Sequence, residues 1–177
     1  MADFATAMTA VLKTENNYIK DANKPDTEIY QGISRLHNPE WPGWKRIDLA
    51  KTRPGFPLNL KEDTELARLV MEHYRIYYWD QIKGNEIADQ EIAEAIFDCA
   101  VNSGPRTSAK LAQAVVQAKV DGVINPQSLE KINQSDRRTF LTLFALARIG
   151  RYVQICEKHR ENRKYFFDWV KRTLEGV

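Results

Sequence analysis

Apolar residues recur at helical spacing along most of the chain. Phe4, Met8, Val11 and Leu12 follow one another at i, i+4, i+7 and i+8, which predicts a first helix that ends near residues 13–17. The same periodicity predicts helices over about 64–83, 86–102, 107–119, 127–133, 136–159 and 162–174, with Thr64 as the N-cap of the second. Alternation typical of strands is scarce, so the sequence predicts a mostly α fold with at most one short hairpin.

Residues 21–61 break this pattern. The segment carries five prolines and three glycines, which predict an irregular loop, and loops of that length in compact domains are usually functional: Pro25, Pro39, Pro42, Pro54, Pro57, Gly32, Gly43 and Gly55. Trp41 and Trp44 lie within the loop. We interpret them as a small satellite core that pins the loop, and stacking on a sugar ring is the alternative. A weak domain boundary is predicted near Gly84.

The net charge of the chain excludes few functions, but the charge is unevenly distributed along the sequence. The 177 residues carry a formal charge of +2, which is too near zero to demand a polyanionic partner. Residues 135–177 hold a net +5 and the remainder a net −3, and the basic positions, Arg148 and Arg151 among them, indicate either a solvated face or attraction to an anionic polymer. We expect no nucleic-acid partner and no cofactor. We also expect no metal site, since the three histidines lack metal-ligand spacing. Cys99 and Cys156 are predicted to be buried free thiols.

The first residues, MADFATAMTAVLK, lack both the basic and the continuous apolar region of a signal peptide. No window approaches the roughly 18 apolar residues of a membrane span. We therefore expect synthesis in the cytoplasm without a signal peptide and no membrane insertion.

Glu15 stands at the C-terminal end of the first predicted helix. A carboxylate there faces the negative pole of the helix dipole, and apolar neighbours would add a desolvation cost, so both effects raise its pKa. A protonated acid is what glycosidic bond cleavage requires, together with a second group that activates water or stabilises the transition state. Asp26, 11 residues onward, is our candidate for that second group. On spacing alone, a glutamate at a helix end is more often solvated surface.

The motifs around Glu15 carry a resemblance. TENNY resembles the Glu-Gly-Gly-Tyr motif of the N-acetylmuramidases grouped as glycoside hydrolase family 108, and KDANKPDTEIYQGIS aligns without a gap to that family's Asn-Asp-Pro-x-Asp-Pro-Gly-Gly-Glu-Thr-Asn-Tyr-Gly-Ile-Ser. Downstream, HYRIYYWDQI, FDCAVNSG, DGVINPQSL and FFDWVKR resemble further segments of the family and of its associated peptidoglycan-binding region. Asn16 and Asn17 replace both motif glycines, and they tolerate left-handed backbone better than most residues. Ile29 replaces the threonine after Glu28.

The resemblance implies a lysozyme-like helical fold and cleavage between N-acetylmuramic acid and N-acetylglucosamine. It implies Glu15 as the catalytic acid. We expect Asp26 to position the attacking water, and we interpret Glu28 as bracing the loop more than as catalytic. The remaining candidates form a substrate-binding set: Tyr18, Thr27, Glu28, Tyr30 and Asn102.

Residues 1–83 are expected to form the catalytic region and residues 84–177 a helical peptidoglycan-binding region. The expected partner is the peptidoglycan glycan strand. The protein is expected to be a monomer that acts at the cell wall or periplasm after release by a phage holin or a dedicated secretion machine. The alternative is a catalytically inactive wall-binding or secretion-associated protein, since both motif glycines are altered.

Overall fold

The computed structural model describes residues 1–14, 18–21 and 24–174, with the side chains of residues 13, 14, 21 and 24–26 left out. Its described residues form eight α-helices and one three-stranded sheet, so the prediction of a mostly α fold is confirmed. Contacts divide the chain into two compact units. The first unit is residues 8–76, and the second unit is residues 1–7 together with 77–177.

The sheet lies in the first unit and follows helix α1 (Phe4–Thr14). Strands β1 (Tyr18–Asp21), β2 (Lys24–Tyr30) and β3 (Ile33–Ser34) are antiparallel, in the order β1-β2-β3. Tyr18 pairs with Tyr30 across the first two strands, and Ile29 pairs with Ser34 across the second two. The predicted hairpin is therefore present, with one further short strand.

The prediction of an irregular segment over 21–61 is wrong for helix α2 (Gly43–Lys51). Pro42 immediately precedes the first helical residue, where a missing backbone N–H costs no helical hydrogen bond. Trp41 and Trp44 are both buried, and the Trp44 indole Nε1 donates to the carbonyl of Asn38 at 2.7 Å. This confirms that the two tryptophans form a satellite core. A Cβ at position 43 would collide with the Trp41 ring, so glycine is required there.

Helix α3 (Thr64–Tyr74) begins one residue earlier than predicted. Asp63, not Thr64, is the N-cap, because its carboxylate accepts from the backbone N–H of Leu66 at 2.9 Å. The helix also ends earlier than predicted. A π-helical turn over Arg75–Trp79 follows it, and short 3-10 turns over Asp80–Ile82 and Gly84–Glu86 come next.

The second unit is built from helices α4 (Gln90–Ser103), α5 (Pro105–Val115), α6 (Pro126–Asn133), α7 (Arg137–Lys158) and α8 (Phe166–Leu174). Asp89, Asn125 and Asp136 cap α4, α6 and α7, since each side chain accepts a bond from a backbone N–H in the first turn. Gly104, at φ +86°, separates α4 from α5 where the sequence predicts a stop.

Trp79 is the largest fully buried side chain of the second unit's core. Its ring lies 5.7 Å from Phe4 and 5.3 Å from Phe97, and its Nε1 donates to Asn85 at 2.8 Å. A Cβ at Gly84 would collide with the indole, so this glycine serves close packing. Cys99 and Cys156 are buried free thiols, as predicted.

For the basic residues of α7 the sequence indicates either a solvated face or attraction to an anionic polymer, and one of these residues is not solvated. Arg148 is only 4% exposed and pairs with Asp98 at 2.7 Å, so at this position the interpretation as a solvated face is wrong. Among the described residues, no helix is both long enough and apolar enough to cross a membrane.

Candidate active site

The structure does not describe the side chains of the two predicted catalytic residues, Glu15 and Asp26. Glu15, Asn16 and Asn17 lie outside the described residues, and so does the side chain of Asp26. The described part of the candidate site is the sheet that follows Glu15 in the chain, together with the residues packed against it. Four of the predicted substrate-binding residues lie on this sheet: Tyr18, Thr27, Glu28 and Tyr30.

Glu28 lies at the centre of an ionic network. It is 3% exposed, and three groups bond to its carboxylate. The Tyr18 hydroxyl donates to Oε1 at 2.8 Å, Lys51 Nζ lies 2.6 Å from the same oxygen, and Arg35 Nη1 donates to Oε2 at 2.8 Å. Both oxygens of a buried carboxylate are therefore satisfied by charged or strong donors.

Asp48, on α2, closes the network. It takes a bidentate pair of bonds from Arg35, at 2.8 and 2.7 Å, and a third from Lys51 at 2.9 Å. The two cations, Arg35 and Lys51, therefore each bridge two carboxylates, and the four charges sum to zero. Such closure ties β2 to the segment after β3 and to the last turn of α2, since losing one member would leave the other three with an unbalanced charge around the buried Glu28.

The network fixes the protonation state of its acids. Burial raises the pKa of Glu28, but hydrogen bonds from Lys51, Arg35 and Tyr18 outweigh burial and hold that pKa below its ordinary value. The pKa of Asp48 is lowered chiefly by its hydrogen bonds from Arg35. Burial and the bond to Glu28 raise the pKa of the Tyr18 hydroxyl. At neutral pH Glu28 is thus an anion with no proton to donate to a leaving group.

Aromatic packing continues on both sides of the network. The Tyr18 ring meets Phe56 edge to face at 4.8 Å. Tyr30 is 5% exposed and stacks on Trp41 at 6.4 Å, so in this structure its ring packs in the core. Thr27 is half-buried, and strand alternation places it on the opposite face of β2 from Glu28.

Asn102 belongs to the second unit and is exposed near the C-terminal end of α4. Its Nδ2 donates to the backbone carbonyl of Asp98 at 2.6 Å and to the Asp98 carboxylate at 3.1 Å. The five predicted substrate-binding residues are therefore divided between the units, with four in the first and Asn102 in the second.

A separate cavity of about 720 Å³ opens on another face of α2. Lys45, Arg46 and Arg53 contribute positive charge to its wall, and Glu62 and Asp63 contribute negative charge. No described member of the predicted site lines it. Its volume is within the usual range of ligand pockets.

Sequence reasoning missed Arg35, Asp48 and Lys51. A signal exists for the last two, since they lie three residues apart on α2, beside the buried Trp44 and Ile47. Reading Pro42 as the start of a helix would have exposed that spacing. For Arg35 there is no comparable signal, because its partners are brought to it by tertiary packing.

Comparison with known protein families assigns the chain to a family. The profile of glycosyl hydrolase 108 matches residues 8–104, and a domain described as a predicted peptidoglycan domain matches residues 102–174. The first match covers more than half of the chain. The chain therefore belongs to the glycosyl hydrolase 108 family, and the resemblance seen in its motifs is confirmed.

A solved structure has a similar fold. The structure of SagA from Brucella abortus matches with a TM-score of 0.63 and 22% sequence identity, over 97% of this chain and 94% of that chain. A comparison with curated protein sequences gave no significant match.

Proposed function

We propose that the protein is an N-acetylmuramidase that cleaves the peptidoglycan bond between N-acetylmuramic acid and N-acetylglucosamine. Membership of a glycosyl hydrolase family supports glycosidic bond cleavage in general, and the C-terminal match supports peptidoglycan as the substrate. Glu15 is the general acid of the proposal. It protonates the leaving oxygen while a second group directs water to the sugar.

The three donors on the buried Glu28 carboxylate are the observation that carries this assignment. A general acid must hold a proton near neutral pH, whereas three donors keep Glu28 ionised and fully occupied. Glu28 then acts as a brace for the sheet that follows Glu15 in the chain. Of the two motif glutamates, Glu15 is left as the proton donor.

In this proposal, two regions of the chain have different roles. Residues 1–83 form the catalytic region, with Asp26 positioning the water and Tyr18 and Thr27 near the glycan. Residues 84–177 hold peptidoglycan, with Asn102 among the contacts. The protein works as a monomer at the cell wall.

Product analysis tests the bond specificity. Purified peptidoglycan is digested, the new reducing ends are reduced with borohydride, and the amino sugar alcohols are identified after acid hydrolysis. A muramidase yields muramitol. Glucosaminitol in its place, or no new reducing ends, would contradict the proposal.

A second candidate function is wall binding without catalysis. Substitutions within the family motifs favour it. Asn16 and Asn17 replace two glycines, and the ungapped alignment places Lys24 where the family pattern has the aspartate before Pro-Gly-Gly. Sedimentation with insoluble peptidoglycan, measured beside turbidity loss, separates the two functions. Binding without any turbidity loss would favour the second.

A further inference from the structure

A second cavity lies wholly within the second unit, between helices α4, α7 and α8. Its volume is about 210 Å³, and its wall includes Asn102, Arg151, Tyr152, Trp169 and Arg172. Pockets for drug-sized ligands usually span roughly 300–1,000 Å³, so this cavity has room for only one or two small groups. Two arginines and two aromatic rings on such a small wall suit an anion that carries a short apolar portion.

Among the described side chains at this wall and their ion-pair partners, positive charge exceeds negative charge. Asp98 is shared by two cations, with Arg148 Nη2 at 2.7 Å and Arg172 Nη2 at 2.9 Å. One carboxylate thus faces two guanidinium groups before Arg151 is counted. Within the part of the chain that the structure describes, no carboxylate forms an ion pair with Arg151, so the cluster of four side chains has a net charge of +2.

Arg151 also carries an unsatisfied donor. Its Nε is buried and has no hydrogen-bond partner among the described residues. Buried donors are nearly always paired, because an unpaired one loses the hydrogen bonds that water would supply. A carboxylate can accept from two N–H groups of one guanidinium in parallel, which would bring a matching charge to Arg151.

The aromatic side of the cavity is built around Trp169. This ring lies 5.3 Å from Tyr152 and stacks on Tyr165 at 6.0 Å, and it is half-buried, whereas Trp41, Trp44 and Trp79 are buried. A half-buried indole edge beside an arginine can cover a methyl group next to a bound carboxylate. The two halves of the wall together fit a small amino acid at the free end of a peptide.

We propose that this cavity binds the free carboxylate end of a peptidoglycan stem peptide, with Arg151 as the carboxylate anchor and Trp169 as the apolar wall. The proposal rests on the proposed function, because it takes peptidoglycan as the ligand. The match to a predicted peptidoglycan domain over residues 102–174 supports it, since that range contains every residue of the cavity wall named above. The cavity then binds the peptide, and cleavage of the glycan is assigned to Glu15 and Asp26.

Synthetic peptides test the carboxylate directly. The full-length protein is titrated with N-acetyl-Lys-D-Ala-D-Ala and with the same peptide as its C-terminal amide, and binding is followed by calorimetry and tryptophan fluorescence. The acid is expected to bind at least 10-fold more tightly than the amide, because only the acid offers two acceptors and a charge to Arg151. Equal affinity for the two peptides, or equally strong binding of inorganic phosphate, would overturn the proposal.

Variants locate the site. Arg151→Ala is expected to weaken binding of the acid at least 10-fold, and Arg151→Lys to lose part of it, because lysine keeps the charge but not the planar fork. Arg160→Ala is the matched control, since it removes an exposed arginine that does not line the cavity. Thermal unfolding of each variant checks that it folds, and the acid and amide comparison in the native protein needs no variant. Undiminished binding by folded Arg151→Ala would contradict the assignment.

Hydrolysis of intact peptidoglycan by the native protein is measured in parallel. If the protein hydrolyses peptidoglycan but does not prefer the acid peptide, only the assignment of this cavity is contradicted. Preference for the acid peptide without hydrolysis would defeat the muramidase proposal and leave the peptide site standing.

Discussion

Lys51 places its Nζ 2.6 Å from Oε1 of the buried Glu28 and joins the last turn of α2 to the middle of β2. The Glu28 side chain is 4% exposed and the Lys51 side chain 27%, so water screens this pair less than it screens a surface ion pair. The sheet of the first unit is therefore stabilised by charges as well as by apolar packing.

Replacing Glu28 tests this brace. Glu28→Gln keeps the shape but leaves Lys51 and Arg35 beside a neutral amide, so the free energy of unfolding should fall by at least ~2 kcal/mol, as when one partner of a buried pair is removed. Chemical denaturation measures the change. Glu65→Gln is the matched control, because it breaks an exposed pair with Arg68 and should change stability little. Equal effects from the two variants would argue against the brace.

The Tyr18 hydroxyl and Glu28 should be energetically coupled. Tyr18→Phe removes only the hydroxyl that donates to Oε1, and it retains the edge-to-face contact with Phe56. In a double-mutant cycle with Glu28→Gln, a coupling of at least ~0.5 kcal/mol is expected, since both changes disrupt one hydrogen bond. Strict additivity of the two changes would show that the bond contributes nothing to stability.

The sequence predicted most of the helices because their buried faces repeat at helical spacing. Leu141, Phe144, Ala145 and Tyr152 of α7 are examples, and Arg148 occupies the same stripe, so its burial could have been predicted from its position. Helix α2 was missed because Pro42 was read as a breaker of helices and not as the residue before one.

The network of Glu28 is a different case. Its charged members lie up to 23 positions apart and come together only when the sheet and α2 pack, so no local pattern contains it. Sequence reasoning indicated that Glu28 braces the loop, but it did not supply the partners. The assignments of Glu15 and Asp26 remain predictions.

Stability should depend on pH through His73, which is 5% exposed on α3. Burial lowers its pKa to about 4, below the ordinary value of roughly 6.5. Between these values the unfolded chain binds a proton that the folded chain does not. The contribution of His73 is therefore fully present above pH ~6.5 and is lost as the pH falls to ~4, by up to ~3 kcal/mol at 1.36 kcal/mol for each unit of pKa.

Unfolding free energies measured from pH 7 to 4.5 check this slope. A His73→Phe variant should lose the part of the slope that comes from His73. His37→Gln, which changes an exposed histidine, should keep the slope. An unchanged slope in His73→Phe would contradict the titration of a buried neutral histidine.

Hydrolysis is expected to invert the anomeric configuration, with Asp26 positioning the water. An inverting pair of carboxyl groups stands roughly 6.5–9.5 Å apart, which leaves room for a water molecule between the second carboxylate and the sugar. Proton NMR of the first product should therefore show the α anomer, and Asp26→Asn should lose at least ~100-fold in rate. A first product with the β anomer, or full activity in Asp26→Asn, would assign the role to another group.

The rate of peptidoglycan lysis by Glu15→Gln, compared with that of the unaltered protein, tests the central claim most directly. Glutamine keeps the size and hydrogen-bonding capacity of glutamate but has no proton to give to the leaving oxygen. The account predicts a loss of at least ~100-fold in the rate of turbidity decrease, with unfolding and wall binding unchanged. Lysis by Glu15→Gln at a rate near that of the unaltered protein would contradict it.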